Sequence, residues 1–326
     1  MNVKLDKYDY RISYELDVNA RRPVSEIAKK VGLSKQTVLN RIKKLEHSGV
    51  IQKYLTILDT SKFGYTPYKI FIRLQNVNKK SEQEIVDYIR EHRNVQWFAT
   101  CDGSFDLMFN VLAKDALELN RILNQLKAQY GHYIAERDIV IMLFANFYFR
   151  DYLIGKEATE VRKPMYFGAK PQQVKLDEIN LKILKLLAQN ARTQVVDIAN
   201  RIKISPDAVR IRIKKLESAG IIQNYVLVLD NSVLGQLHYK VLLRLHTLTQ
   251  KQEQRLDEFC RLHPNIYFSN KALGYVDFEV NLETRDVNEF RDFMGQLKES
   301  FSDVIRDYII LSITKVHKFD FYPMDA

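Results

Sequence analysis

The chain has 326 residues, of which 46% are hydrophobic and 28% are charged, and its formal net charge is +10. This composition is typical of an ordinary globular protein and argues against a disordered or disulfide-stapled chain. No run approaches 18 consecutive apolar residues, and the chain opens with charged residues instead of an apolar signal. We therefore expect a cytosolic, cytoplasmic protein with no membrane partner.

The sequence is a tandem duplication. The hexapeptide Arg-Ile-Lys-Lys-Leu-Glu occurs at residues 41–46 and again at 212–217. A shift of 171 positions aligns residues 5–64 with 176–235 without a gap, and 26 of the 60 residues are identical. Such a period is far too long for a solenoid repeat, so each half is expected to be a complete unit with its own core.

The positive charge is concentrated in two windows that correspond in the repeat. Residues 1–60 contain 12 Lys and Arg against 7 Asp and Glu, a net charge of +5, and residues 172–231 contain 10 against 6, a net charge of +4. Any single charge run is usually a solvated surface. Two matching basic segments indicate a surface that binds nucleic acid.

Each half begins with three short predicted helices. The second and third helices are joined by a tight turn, and Ser34 and Ser205 are the N-caps of the third helix in the two halves. A short turn followed by a capped, basic helix is the helix-turn-helix pattern. The turn contains Gly32 in the first half but Lys203 in the second. If this position needs a positive φ, Lys203 destabilises the second half by about 1 kcal/mol relative to glycine.

After the helices, both halves change to alternating apolar patterns interrupted by amphipathic helices. The predicted segments are 68–74, 81–93, 95–100, 105–112, 116–130 and 134–149 in the first half, and 239–245, 252–262, 266–273, 276–282, 287–300 and 304–314 in the second. Their order is β-α-β-β-α-β, a ferredoxin-like unit. The fold class is therefore α+β, with two copies of a helix-turn-helix domain followed by a ferredoxin-like sheet domain.

These patterns predict five segments along the chain. They are helix-turn-helix domains at 1–60 and 175–231, ferredoxin-like domains at 65–150 and 236–320, and a linker at 151–174 that contains glycine, proline and mixed charge.

The combination of domains resembles the leucine-responsive regulatory protein / asparagine regulator (Lrp/AsnC) family of prokaryotic transcription regulators. The resemblance is carried by Leu5-Asp6, by Ser34 through Gly49-Val50-Ile51, and by Gly103-Ser104-Phe105-Asp106, with their counterparts in the second half. It implies a sequence-specific regulator of transcription that binds double-stranded DNA and self-associates through its ferredoxin-like domains. Family members usually carry one such unit, so this chain resembles a fused pair, and pairing within one chain or between chains both stay open.

The third helix of the first half carries the predicted DNA contacts. Its apolar stripe faces inward, early positions of a recognition helix meet base edges, and later basic positions meet phosphates. We assign base readout to Lys35, Gln36, Thr37 and Asn40, and backbone contacts to Arg41, Lys43 and Lys44. The alternative is a structural helix with a solvated basic face.

The second half differs at the positions that would read bases. Its predicted DNA-binding residues are Asp207, Ala208, Arg210, Ile211, Arg212, Lys214 and Lys215. A carboxylate can accept from cytosine and apolar side chains can meet a thymine methyl group, but a carboxylate is also repelled by phosphate. We expect an asymmetric operator, with the first copy supplying most of the hydrogen-bonded readout and the second copy mainly electrostatic affinity.

The resemblance also implies an effector site near the Gly-x-x-Asp turn of each sheet domain. The predicted effector-binding residues are Gly103, Ser104 and Asp106 in the first half, and Gly274, Tyr275 and Asp277 in the second. A carboxylate there would suit the ammonium group of an amino acid or a related small molecule. The alternative is a hairpin turn whose aspartate binds local amide groups with no ligand.

Two other functions are alternatives to a specific regulator: an enzyme and an architectural DNA-binding protein. Siroheme decarboxylases resemble this architecture, but they use a histidine-rich tract where this chain has Gln96-Trp97-Phe98-Ala99-Thr100. The seven histidines form no acid–base or metal pattern, so we predict no enzyme activity, no catalytic residues, no metal and no cofactor. An architectural DNA-binding protein with little specificity is the other alternative, and salt-dependent affinity without sequence discrimination would favour it.

Overall fold

The computed structural model describes residues 4–155, 164–168 and 171–322. The first half contains α1 (Lys7–Val18), α2 (Val24–Val31), α3 (Lys35–His47), β1 (Ile51–Leu58), β2 (Thr66–Leu74), α4 (Lys79–Glu91), β3 (Val95–Asp102), β4 (Leu107–Ala113), α5 (Ala116–Tyr130) and β5 (Ile134–Phe147). The short strand β6 (Met165–Gly168) follows. The second half contains α6 (Glu178–Gln189), α7 (Val195–Ile202), α8 (Pro206–Ser218), β7 (Ile222–Leu229), α9 (Asn231–Leu234), β8 (Leu237–Leu245), α10 (Gln250–Leu262), β9 (Ile266–Gly274), β10 (Phe278–Thr284), α11 (Val287–Phe301) and β11 (Ile305–Phe319). This order confirms the predicted fold class.

The recognition helices begin at the predicted serine caps. The Ser34 hydroxyl accepts from the N–H of Thr37 (3.1 Å) at the start of α3, and the Ser205 hydroxyl accepts from the N–H of Ala208 (3.2 Å) at the start of α8. Each cap satisfies one of the backbone donors that the first helical turn leaves unpaired.

The turn before each recognition helix requires a left-handed residue. Gly32 has φ 72° and Lys203 has φ 58°. The sequence prediction that Lys203 occupies an unfavourable conformation is therefore confirmed, because the Cβ atom of a non-glycine residue is crowded in this region.

Strands β1 and β7 join the two helix-turn-helix units. They pair antiparallel along their length. Beside them, each unit donates one backbone hydrogen bond to the β-strand of the other unit. The N–H of Ala191 donates to the carbonyl of Tyr54 (3.0 Å), and the N–H of Ala20 donates to the carbonyl of Tyr225 (2.8 Å). The apolar side chains of both units then share one buried core. The two recognition helices are thus held by a single packed body.

The larger sheet closes on itself. Neighbouring strands follow the order β2-β4-β3-β11-β8-β10-β9-β5, and β5 also pairs with β2. One face of each half-sheet packs against its own two helices. The opposite faces meet in an interior cluster that includes Phe71, Trp97, Met108, Leu242 and Leu311. The ferredoxin-like units therefore pair within one chain.

Two predicted boundaries need correction. The strand predicted at 304–314 continues to Phe319, because its second part pairs with β3 of the first half. Part of the predicted linker 151–174 is regular structure, since β6 (Met165–Gly168) pairs with β5. Residues 156–163 and 169–170 of that linker lie outside the described residues.

Candidate DNA-binding surface and effector cavities

The outward face of α3 brings the predicted base-reading side chains together. Lys35, Gln36 and Asn40 are exposed, and Thr37 is half-buried. The side-chain amide of Gln36 donates from Nε2 to Oδ1 of Asn40 (3.0 Å), which orients two amides one helical turn apart. Paired amides of this kind can bind the donor and acceptor atoms of adenine in the major groove.

The later basic residues of α3 divide into two groups. Lys43 and Lys44 are exposed beside the amide pair. Arg41 instead turns toward α1, where its Nη1 lies 2.9 Å from Oδ1 of Asp6 and 2.7 Å from Oδ1 of Asp9. Arg41 therefore holds α3 against α1, and we withdraw its assignment to phosphate contacts.

The outward face of α8 is chemically different. Its exposed side chains are Asp207, Arg210, Ile211, Lys214 and Lys215, and Ala208 is half-buried. The Asp207 carboxylate forms an ion pair with Arg210, and Ile211 is 57% exposed. Arg212 binds Asp177 at 2.6 Å, so it repeats the role of Arg41 and is also withdrawn from the phosphate contacts.

The glycines of the two Gly-x-x-Asp turns lie where the halves meet. Gly103 has φ 131°, and a Cβ atom there would lie 2.8 Å from the carbonyl oxygen of Ile310. Gly274 has φ 135°, and a Cβ atom there would lie 2.7 Å from the carbonyl oxygen of Ile139. Both positions therefore require glycine because a strand of the other half approaches closely. The ring of Tyr275 packs against aromatic side chains of the first half.

The aspartates of these turns bind backbone amides. Oδ2 of Asp106 accepts from the N–H of Leu74, and Oδ2 of Asp277 accepts from the N–H of Leu245, each at 2.7 Å. Ser104 is exposed within the first turn. These contacts favour the alternative in which the aspartates have a structural role.

A cavity of about 260 Å³ lies beside Asp277. Glu253, Asp257 and Lys271 contribute its other charged lining. Nζ of Lys271 lies 2.6 Å from Oε1 of Glu253, and burial raises the pKa of the Asp257 carboxyl. Thr100 replaces Lys271 at the corresponding position of the first half, so the two turns have different surroundings.

A smaller cavity of about 40 Å³ lies between the two half-sheets and is lined by Lys69 and Lys240. Sequence reasoning did not select these lysines, although they correspond in the repeat and occupy strands that alternate as core elements. The cavity is several-fold smaller than the roughly 300–1,000 Å³ of sites that enclose larger organic ligands.

Within residues 4–155, 164–168 and 171–322, no helix is long and apolar enough to cross a membrane. In the same ranges, no group of three His, Cys, Asp or Glu side chains is arranged to hold a metal ion.

Known proteins with similar sequences are regulators of transcription. The sequence-family model of the AsnC-type helix-turn-helix domain matches residues 5–46. The family model of winged helix-turn-helix DNA-binding domains matches residues 176–223. The chain is 33% identical over 140 residues to the proline dehydrogenase transcriptional activator of Rhodobacter capsulatus, covering 42% of this chain and 90% of that protein. It is also 33% identical over 144 residues to the HTH-type transcriptional regulator PH0045 of Pyrococcus horikoshii, covering 44% of this chain and 93% of that protein.

Solved structures of a siroheme decarboxylase match across both halves. The siroheme decarboxylase NirDL superposes with a TM-score of 0.60 at 13% identity, covering 96% of this chain and 93% of that chain. At 13% identity this match shows that the two proteins share a fold, and it does not assign the activity of that enzyme to this chain.

The family models and the relatives that match these helix-turn-helix units identify the chain as a DNA-binding regulator of transcription. More particularly, the chain belongs to the Lrp/AsnC family. The relatives above match less than half of this chain but nearly all of their own length, so a single polypeptide contains two units of the family type.

Proposed function

We propose that one chain binds one asymmetric DNA operator through two non-equivalent recognition helices. The observation that carries this proposal is the β1–β7 pairing, which fixes α3 and α8 in one body while their outward side chains differ. A DNA-binding regulator of this kind would act in the cytoplasm without catalysing a reaction. A single chain would then correspond to a dimer of one-unit relatives.

In this proposal, α3 reads bases. The oriented amides of Gln36 and Asn40 bind adenine, Lys35 reaches guanine or a nearby phosphate, and Lys43 and Lys44 contact the backbone. Each well-formed bidentate contact contributes about 1–3 kcal/mol of discrimination between bases.

In contrast, α8 would contribute mainly affinity. Asp207 is already paired with Arg210, so its carboxylate is partly neutralised and less available to cytosine. Lys214 and Lys215 remain exposed for phosphate, and Ile211 can contact a thymine methyl group.

The test compares matched triple variants of the two helices. Alanine at Lys35, Gln36 and Asn40 should reduce the ratio of operator to scrambled-duplex affinity at least tenfold, because the base contacts are lost. Alanine at Asp207, Arg210 and Ile211 should leave most of this ratio unchanged. Fluorescence anisotropy at one fixed salt concentration measures both ratios. Loss of preference only in the second variant would contradict the assignment.

A control separates base reading from charge. Replacing Lys43 and Lys44 with alanine should weaken binding to operator and scrambled duplex equally. It should also reduce the slope of log affinity against log salt by about two, since roughly one counterion is released per phosphate contact. Wild-type retention of DNA without any preference would instead support the architectural alternative.

We further propose that the cavity beside Asp277 binds an amino acid. The carboxylates of Asp257 and Glu253 suit an ammonium group, and the Lys271 ammonium suits a carboxylate. Calorimetry with the twenty L-amino acids should detect binding of at least one of them at one site per chain. Asp257→Asn should weaken this binding, whereas Asp292→Asn, at an exposed residue of α11, should not. Equal effects of the two substitutions would contradict this site.

A further inference from the structure

The space between the half-sheets contains an unbalanced group of buried charges. Lys69, Lys240 and Glu279 are 1%, 3% and 1% exposed. Nζ of Lys240 lies 2.7 Å from Oε1 of Glu279, and Nζ of Lys69 binds Oε2 of the same carboxylate. Two ammonium groups therefore share one carboxylate, away from water.

Divergence between the two copies accounts for this imbalance. Lys69 and Lys240 are counterparts under the 171-residue shift, but the counterpart of Glu279 is Met108. The second carboxylate that a symmetric arrangement would contain is missing from the first half. An unpaired charge in a protein interior is strongly unfavourable, so such a site favours an added anion.

The acidic residues around Arg150 do not supply the missing charge. Glu283 lies four residues beyond Glu279 on the same strand, which corresponds to roughly 13 Å along the strand. Its oxygens accept from Arg150 (2.8 Å) and from the hydroxyl of Tyr152 (2.5 Å). Asp17, the other carboxylate there, also binds Arg150.

The cavity of about 40 Å³ adjoins the two lysines and contains further polar atoms. Nε2 of Gln96 and Oδ1 of Asn110 are buried, line this cavity and have no hydrogen-bond partner among the described residues. Its remaining walls are largely aromatic: Trp97, Phe147, Tyr267, Phe268, Phe319 and Phe321. The volume corresponds to about three water-sized groups, which is the size of a carboxylate with a short substituent.

We propose that this cavity binds a small monocarboxylate of two or three carbon atoms. Its negative charge would lie beside Lys69 and Lys240, and one carboxylate oxygen would accept from Nε2 of Gln96. The aromatic walls would contact the short alkyl group. This site is separate from the cavity beside Asp277, and its occupancy does not depend on the assignment of the DNA contacts.

The charges around Lys69 predict how binding depends on pH. The pKa of Lys69 is lowered to about 8, because the lowering by burial and by the Lys240 charge outweighs the raising by Glu279. The pKa of Tyr267, in the cavity wall, lies well above its usual range, so this hydroxyl stays neutral. Because the ligand requires the protonated ammonium group, its affinity should fall about tenfold per pH unit above about pH 8.

The only tryptophan in the chain reports directly on this site. Trp97 lines the cavity, and Nζ of Lys240 lies 4.4 Å from the centre of its ring. We would titrate the full chain with sodium acetate and sodium propionate, and with sodium chloride at matched ionic strength. A saturable change in fluorescence is expected with the carboxylates only. Absence of saturation, or an equal response to chloride, would overturn the proposal.

Two substitutions and a control distinguish binding from a structural role. Lys69→Met leaves a balanced Lys240–Glu279 pair, so the protein should fold and show a higher unfolding temperature without ligand. The same change should weaken carboxylate binding at least tenfold.

Gln96→Leu should weaken binding while retaining the dependence on pH. Lys127→Met, at an exposed residue of α5, should change neither property. Unchanged affinity in Lys69→Met, or a lower unfolding temperature, would contradict the proposal.

Discussion

Lys203 adopts a left-handed backbone conformation that glycine adopts in the other half. Replacing it with glycine removes the crowding of Cβ, although the unfolded chain also gains conformational freedom. We expect Lys203→Gly to raise the free energy of unfolding by about 0.5–1 kcal/mol. Urea denaturation monitored by circular dichroism measures the change.

The first half offers the reverse substitution as a control. A Cβ atom at Gly32 would have no other atom within 4 Å, so only the backbone conformation opposes a side chain there. Gly32→Ala should therefore lower the free energy of unfolding by about 1 kcal/mol. Stabilisation by Gly32→Ala, or destabilisation by Lys203→Gly, would show that this φ is not maintained in solution.

Single residues also show the limit of sequence reasoning. The strained Lys203 was predictable because the repeat places it opposite a turn glycine. The role of Arg41 was not, because helical periodicity gives the direction of a side chain but not its partner. Its partners Asp6 and Asp9 lie at the start of α1, more than 30 residues earlier in the sequence.

At the scale of elements, Arg150 connects the first helix-turn-helix unit to the second sheet unit. Its side chain is 12% exposed and lies between Asp17 of α1 (2.7 Å) and Glu283 of β10 (2.8 Å). Its backbone N–H also donates to Asp17 (2.8 Å), and its guanidinium lies 4.8 Å from the centre of the Tyr267 ring. This contact links an element of the DNA-binding body to a wall of the interior cavity.

Removal of this arginine should be strongly destabilising. Arg150→Met leaves two buried carboxylates without their cation, and we expect a loss of about 3–5 kcal/mol in the free energy of unfolding. Arg90→Met is the matched control, because Arg90 pairs with Asp87 at 2.8 Å while both side chains are about 40% exposed. That surface pair should contribute about 0–1 kcal/mol. Similar losses in both variants, measured by urea denaturation, would contradict the bridging role.

The lengths of β5 and β11 explain why element boundaries were harder to predict than element types. Alternating apolar residues identified both strands, and the N-terminal part of each pairs within its own half. The C-terminal parts pair with the other half instead. Partners so distant in sequence leave no local periodic signal, so β11 was predicted to end five residues before Phe319.

At the scale of the whole molecule, duplication places a pair of family units in one polypeptide. The internal repeat was sufficient to predict two helix-turn-helix units and two ferredoxin-like units. It could not decide between pairing within one chain and pairing between chains, because the same apolar faces satisfy both. The closed strand order resolves this for the described residues. Covalent linkage also allows the two copies to diverge, as α3 and α8 have done.

The most direct test of the central proposal is selection of bound duplexes from a random DNA pool at near-physiological salt, followed by sequencing. Two non-equivalent recognition helices held in one body should enrich a motif with two unlike halves. The halves should be separated by about one helical turn of DNA or a multiple of it. A palindromic motif, or retention of DNA without any enriched motif, would contradict this account.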